Sequence, residues 1–286
     1  MATTVAAAFA TLKRNLEITS LQAETVSTRQ SEVRDAMEAG LLVLDSFLTG
    51  SYAKNTLIAP LARADIDIFI VLAPEYYQRY SPRDLLVETR RVLRLRYPRT
   101  PEISPDGQAV TIEFNDFKVD VVPSFYRNGG GFLIGDADKG QWIATDPKVH
   151  LDLMTRANAQ HSGNLIPLIK MLKGWSRTEG GVLRGFYLEL LAVGALNGVT
   201  ISNFPSGIRW LFDKGREAVR YTIQDPAGFG DQVRGLRGVS VEQAVALFEG
   251  AYRKAILAEA LERRGLVREA IETWRSIFGD YFPAYG

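Results

Sequence analysis

Two aspartates, Asp65 and Asp67, stand at the head of an apolar run, Ile66-Asp67-Ile68-Phe69-Ile70-Val71. In a β-strand, residues i and i+2 project from one face, so the two carboxylates point together while Ile66, Ile68 and Ile70 point to the other. Paired carboxylates repel and raise each other's pKa unless a cation lies between them. Mg²⁺ suits the position: it prefers hard oxygen ligands and is commonly held by one or two carboxylates plus substrate phosphates. Upstream, Gly50-Ser51 opens a polar segment that runs to Thr56. Glycine lets the backbone approach a phosphate, and serine adds a hydroxyl beside the N–H donors of a helix start. Together these residues describe a site for a triphosphate and its metal ions that requires one further carboxylate.

A later strand supplies it. Ala109 to Phe114 alternates, Asn115-Asp116 signals a turn, and Phe117 to Val122 runs back to Pro123. On the returning strand Phe117, Val119 and Val121 share one face and Lys118, Asp120 and Val122 the other. Asp120 thus points away from an apolar face, on a strand expected beside Asp65 and Asp67, and is the third expected metal ligand. Further on, Lys170 and Lys173 lie three residues apart in Leu165 to Trp175 and share a helix face. Either ammonium can neutralise the β- and γ-phosphates as a point charge. Taken alone, that stretch reads equally as an amphipathic helix with solvated lysines.

The elements that must position these groups follow from periodicity. Residues 3 to about 40 read as a long helix, less regular between Ile18 and Ser27 and ended by Gly40; Leu42 to Leu48 is a short strand that delivers the chain to Gly50. Lys54 and Arg63, near the expected phosphates, are assigned to the solvated surface. Ser81-Pro82 starts a helix whose Arg90, Arg91, Arg94 and Arg96 form its solvated face. Tyr126 to Pro147 is glycine-rich and reads as a loop bordering a substrate cleft. Beyond Lys148 the pattern is almost wholly helical, with helices expected at about 150–160, 163–178, 182–196, 206–219 and two between 240 and 278. The fold class is α+β, divided into residues 1–150, a mixed sheet with flanking helices, and 151–286, an α-helical lobe that completes the cleft.

Composition bounds the chemistry. With 286 residues, 46% hydrophobic and 23% charged, the chain can bury an ample core. It has no cysteine and only two histidines, His150 and His161, which excludes disulfides and a cysteine-based zinc site and leaves few players for histidine-based nucleophilic catalysis. A net charge of +1 gives no global attraction for nucleic acid, so no duplex is expected as an obligatory substrate. No apolar run approaches the roughly 20 residues that span a bilayer, and Met1 to Ala10 lacks the basic start of a secretory signal. A cytoplasmic enzyme is expected.

Gly-Ser, an intervening helix and Asp-hydrophobic-Asp resemble the signature of the DNA polymerase beta-like nucleotidyltransferase superfamily. The order of the long N-terminal helix, Gly50-Ser51, Asp65-Ile66-Asp67, Val119 to Pro123, Asp136 to Pro147 with Trp142, and Leu172-Lys173-Gly174-Trp175 is similar to that of bacterial CD-NTases, relatives of animal cyclic GMP-AMP synthase. The resemblance covers about residues 40 to 226, including Asp225-Pro226. It implies that Asp65, Asp67 and Asp120 bind two Mg²⁺ ions, replaceable by Mn²⁺, and that Gly50 and Ser51 cradle the donor phosphates. Lys173 is then the phosphate-contacting lysine with Lys170 in reserve, and Tyr187 and Asp225 are nucleotide contacts. Relatives place a serine or tyrosine where this chain has Gly185, so its backbone N–H, Tyr187 or Arg184 takes that role.

The implied substrates are nucleoside triphosphates, ATP or GTP foremost with pyrimidines admitted. The implied product is a cyclic di- or trinucleotide that a downstream effector reads in anti-phage signalling, with a regulatory protein as a further partner. An RNA-terminal nucleotidyltransferase of the CCA- or poly(A)-adding type, and an inactive nucleotide-binding sensor, are the alternatives.

Overall fold

The computed structural model describes residues 2–230 and 232–286. The chain opens with two helices, α1 (Val5–Asn15) and α2 (Ser20–Glu38), where one long helix was expected. The break has a local cause. Thr19 accepts the N–H of Gln22, and the Gln22 side chain accepts the N–H of Thr19, a reciprocal capping box that starts a new helix. Strand β1 (Val43–Leu48) and the short helix α3 (Gly50–Ala53) lead to β2 (Asp65–Leu72), then to α4 (Glu75–Arg79) and α5 (Pro82–Arg96). Ser81 caps α5 by accepting the N–H of Asp84, with Pro82 in the first turn.

Five more strands follow: β3 (Ile103–Asp106), β4 (Ala109–Glu113), β5 (Lys118–Tyr126), β6 (Phe132–Asp136) and β7 (Gln141–Thr145). The sheet runs β1-β2-β5-β4-β3, with β6 pairing β5 and β7 pairing β6, and among the described strands only β2 and β5 are parallel neighbours. β5 pairs with β4 through its first half and with β6 from Ser124 to Tyr126, so it continues past Pro123, where the strand was expected to stop. Residues 126 to 147, expected as a loop, are therefore mostly a β-hairpin. Their glycines mark its turns: Gly129, Gly130, Gly131 and Gly140 all have positive φ, which only glycine adopts without strain.

The chain then enters α6 (Pro147–Gln160), α7 (Leu165–Thr178), α8 (Gly185–Leu196) and α9 (Phe204–Ala218), a small hairpin of β8 (Ile223–Gln224) and β9 (Gln232–Val233), and α10 (Val241–Arg263) and α11 (Val267–Phe278). Two compact units result: one spans Ile18–Asp152, and the other joins Leu153–Gly286 to the chain up to Glu17. The break after Asp152 lies close to the expected residue 150, but the start of the chain belongs to the helical unit, whereas the expected division placed it with the sheet. Phe9 of α1 explains it, packing edge-on against Trp274 at 4.9 Å and Phe282 at 5.2 Å between ring centroids.

In the sheet unit, Ile66, Ile68, Ile70, Val119 and Val121 bury one sheet face in a core shared with Val33 and Met37 of α2 and with Leu85, Leu86 and Leu93 of α5. The opposite face carries a second apolar cluster of Phe69, Val71, Val122, Phe132 and Ile134. The arginines of α5 are mostly exposed, as expected, with Arg94 half-buried, and two of them reach back to the main chain. Arg90 donates to the Ile103 carbonyl at 2.7 Å and Arg94 to the Thr100 carbonyl at 2.6 Å, tying the helix to the segment that enters β3. Among the described residues no helix is long and apolar enough to cross a membrane.

Candidate active site

The sheet places the expected carboxylates together through its single parallel pairing. In the register of β2 on β5, Asp65 lies opposite Lys118 and Asp67 opposite Asp120. Neighbouring strands are about 4.8 Å apart, so the Asp67 and Asp120 backbones are adjacent and their side chains leave the same face. That face continues into Phe69, Val71 and Val122, whereas the intervening Ile66, Ile68, Val119 and Val121 are completely buried on the other side. Alternation thus does two jobs at once: the apolar residues anchor the strands, and the acids are presented at their leading ends.

Gly50 abuts this pair. Its φ is +60°, and a β-carbon placed there would overlap the Asp67 carboxylate. The turn from β1 into α3 is fixed by the Thr49 N–H, which donates to the Asp67 carbonyl at 2.9 Å. Glycine is required here because both the left-handed backbone and the space belong to Asp67. Ser51, half-buried, is the next residue of α3. Lys54, assigned to the surface from sequence, is buried just beyond it.

Asp120 is set by a group that sequence reading missed. Thr111 of β4 lies directly across from it, and the Thr111 hydroxyl donates to Asp120 Oδ1 at 2.6 Å. Burial pushes the Asp120 carboxyl above its ordinary pKa, and the charges of Asp65 and Asp106 push the same way against the Thr111 hydrogen bond and Lys118. Lys118 itself is engaged by Glu113. The donors fit a hard divalent cation: acceptor-only carboxylates adjacent in register, one held in an environment that disfavours its bare charge, and a glycine whose missing side chain leaves Asp67 its space. Among the described residues no three acidic or histidine side chains converge closely enough to enclose an ion unaided.

The helical unit is a separate case. Lys173 of α7 is mostly buried and reaches Glu189 of α8 at 2.5 Å. Glu189 lies within an otherwise apolar helix, where a carboxylate needs such a partner. The first residue of α8, Gly185, faces Lys173: a β-carbon there would be 3.5 Å from the ammonium nitrogen. The expected hydroxyl position is therefore next to the expected phosphate lysine. Lys170, by contrast, is 2% exposed and paired with Glu17 at 2.5 Å, a tie between α7 and the end of α1.

Tyr187, expected as a nucleotide contact, is turned into the helical core instead. Its ring is fully buried, its hydroxyl lies 2.6 Å from the Ala218 carbonyl and 3.0 Å from that of Tyr221, and burial pushes its pKa up to about 12. Helical spacing turns it inward from Gly185 to bind the end of α9. Asp225 caps a turn, accepting the Ala227 N–H at 2.8 Å. Glu189 and Thr111 escaped sequence reading because both act across elements. A charged residue inside the apolar run Leu188 to Ala192 was the available signal for Glu189.

Known proteins are similar to this one over most of the chain. The Second Messenger Oligonucleotide or Dinucleotide Synthetase domain matches residues 3–158, more than half of the sequence. A cyclic AMP-AMP-AMP synthase from an Acinetobacter species is 24% identical over 96% of this chain and 84% of its own length. A cyclic AMP-AMP-GMP synthase from Enterobacter hormaechei is 23% identical over 91% and 72% respectively. The fold is that of E. coli MS115-1 CdnC, solved with HORMA-deltaN and with ATP. Its TM-scores are 0.76 and 0.75 at 19% identity, over 98% of this chain and 98% and 99% of those chains. The chain therefore belongs to the Second Messenger Oligonucleotide or Dinucleotide Synthetase family, and it is a nucleotidyltransferase of the bacterial CD-NTase type that makes cyclic oligonucleotides.

Proposed function

We propose that this enzyme joins nucleoside triphosphates, ATP among them, into a cyclic trinucleotide. The observation that carries the reading is the parallel register that sets Asp67 beside Asp120 with Gly50 against it. The choice of adenine and of ring size is supported by the relatives, which are synthases of cyclic AMP-AMP-AMP and cyclic AMP-AMP-GMP. Each transfer joins a ribose oxygen to an α-phosphorus and releases pyrophosphate, and the last transfer closes the ring.

Asp65, Asp67 and Asp120 would hold two Mg²⁺ ions, with Mn²⁺ as a substitute. When bound, such ions lower the pKa of an attacking hydroxyl and stabilise a departing pyrophosphate. The protein's own contribution is alignment. The strands fix the carboxylates, Gly50 leaves the Asp67 carboxylate its space and brings the backbone of the turn beside it, and Ser51 adds a hydroxyl for the donor phosphates. Lys173 is the phosphate-binding lysine in this reading, with the first N–H groups of α8 beside it in place of the hydroxyl that Gly185 lacks. Lys170 is assigned a structural role through Glu17. The setting in the reading is cytoplasmic anti-phage signalling, with an effector that binds the product. A regulatory protein is a further proposed partner, supported by the HORMA-deltaN complex of CdnC.

The test is to incubate the protein with the four triphosphates and Mg²⁺, treat the products with phosphatase and weigh what survives. A phosphatase-resistant trinucleotide containing adenylate is expected. A cyclic dinucleotide would overturn the ring size, and extension of added RNA alone would overturn the reading in favour of an RNA-terminal enzyme.

A further inference from the structure

We propose that Thr111 is a positioning residue of the transfer reaction, holding the Asp120 carboxylate by a hydrogen bond in the orientation in which it ligates metal. The inference rests on the reading of Asp120 as a ligand. Three observations support it. The antiparallel pairing of β4 with β5 places Thr111 and Asp120 directly opposite one another, so both backbones are fixed by strand hydrogen bonds. The contact is short, 2.6 Å from the Thr111 Oγ1 to Asp120 Oδ1, as expected when a hydroxyl donates to a charged acceptor. It engages one carboxylate oxygen in donating geometry, which constrains the plane of the group.

The third observation is where Thr111 lies on its strand. Val110 and Ile112 are fully buried, whereas Ala109, Thr111 and Glu113 alternate with them on the half-exposed side. The core therefore does not ask for a residue of this shape at position 111. Threonine does suit the task. Its branched Cβ restricts χ1, so the hydroxyl has few directions available and one of them is towards Asp120. A hydroxyl that orients a ligating carboxylate typically contributes about 10- to 100-fold to metal affinity. A cross-strand pair that serves only the sheet contributes about 0.2–1 kcal/mol to stability and nothing to metal binding.

The experiment is titration of the metal-free protein with Mn²⁺ alone, read by electron paramagnetic resonance, for wild type, Thr111→Val, Thr111→Ser and Asp120→Asn. Nucleotide turnover and thermal unfolding are measured beside it. Thr111→Val should bind Mn²⁺ about tenfold or more weakly and lose turnover with its melting temperature nearly unchanged; Thr111→Ser, which keeps the hydroxyl, should recover both. Should the valine variant not fold, Thr111→Ala replaces it and the comparison of serine with alanine carries the same reading. Wild-type Mn²⁺ affinity in the variants lacking the hydroxyl, with Asp120→Asn impaired, overturns the role of Thr111. Equal losses for serine and valine also overturn it, since a variant that keeps the hydroxyl would then do no better than one that lacks it. Wild-type Mn²⁺ affinity in Asp120→Asn would instead remove Asp120 from the ligand set, a separate failure of the reading on which this one rests.

Discussion

At Gly50, a left-handed backbone and the Asp67 carboxylate leave no room for a side chain. Gly50→Ala should therefore displace Asp67 as well as strain the turn by about 1–2 kcal/mol. Turnover should be lost while circular dichroism still reports a folded chain; an alanine variant of wild-type activity would contradict the geometry. Tyr187 gives the opposite case. Tyr187→Phe removes buried hydrogen bonds to carbonyl oxygens and should cost about 1 kcal/mol of stability with triphosphate affinity unchanged. Its pKa is raised, so the fold prefers the protonated hydroxyl. The stabilisation is complete below the ordinary tyrosine value near 10 and is lost as pH rises through about 12. The phenylalanine variant should lack that decline in unfolding measurements across the same range. A weakened affinity for triphosphate would return Tyr187 to the site. Asp65, Asp67 and Asp120 were visible from sequence because alternation alone assigns their faces. Thr111, Glu189 and the inward turn of Tyr187 were not, because each depends on a partner brought close only by the fold.

Elements explain which of those partners meet. The parallel contact of β2 with β5 fixes the carboxylates, and β4 delivers Thr111 to the same place. Most helices could be placed from the sequence by their apolar period, from α7 through α11 within a few residues. The errors came where punctuation carried two meanings. Glycines at 129 to 131 and 140 read as a loop but serve the turns that flank and join β6 and β7, whose strands are only five residues each. The irregular stretch after Ile18 read as a bend within one helix, whereas Thr19 and Gln22 cap a new one. Thr19→Ala should accordingly destabilise the protein by about 1 kcal/mol through α2. Chemical denaturation would show it, and an unchanged midpoint would mean that the cap contributes nothing measurable.

On the scale of the whole molecule, the path of the chain matters as much as its pattern. Phe9 sits among Trp274, Phe278 and Phe282 at the other end of the sequence, so the helical unit is closed by both termini. Periodicity cannot reveal such a pairing, because it specifies an apolar face and not its mate. Membership of the synthetase family, by contrast, rests on the match over residues 3–158 and on relatives aligned along nearly the full chain. In the proposed function, three carboxylates at the ends of two parallel strands carry nucleotidyl transfer. That role is tested most directly by pyrophosphate release from a mixture of the four triphosphates with Mg²⁺, comparing wild type with Asp65→Asn, Asp67→Asn and Asp120→Asn. The account predicts a loss of about a thousandfold or more in each folded variant, equivalent to ~4 kcal/mol of transition-state stabilisation. Release at the wild-type rate by any one of them would contradict it.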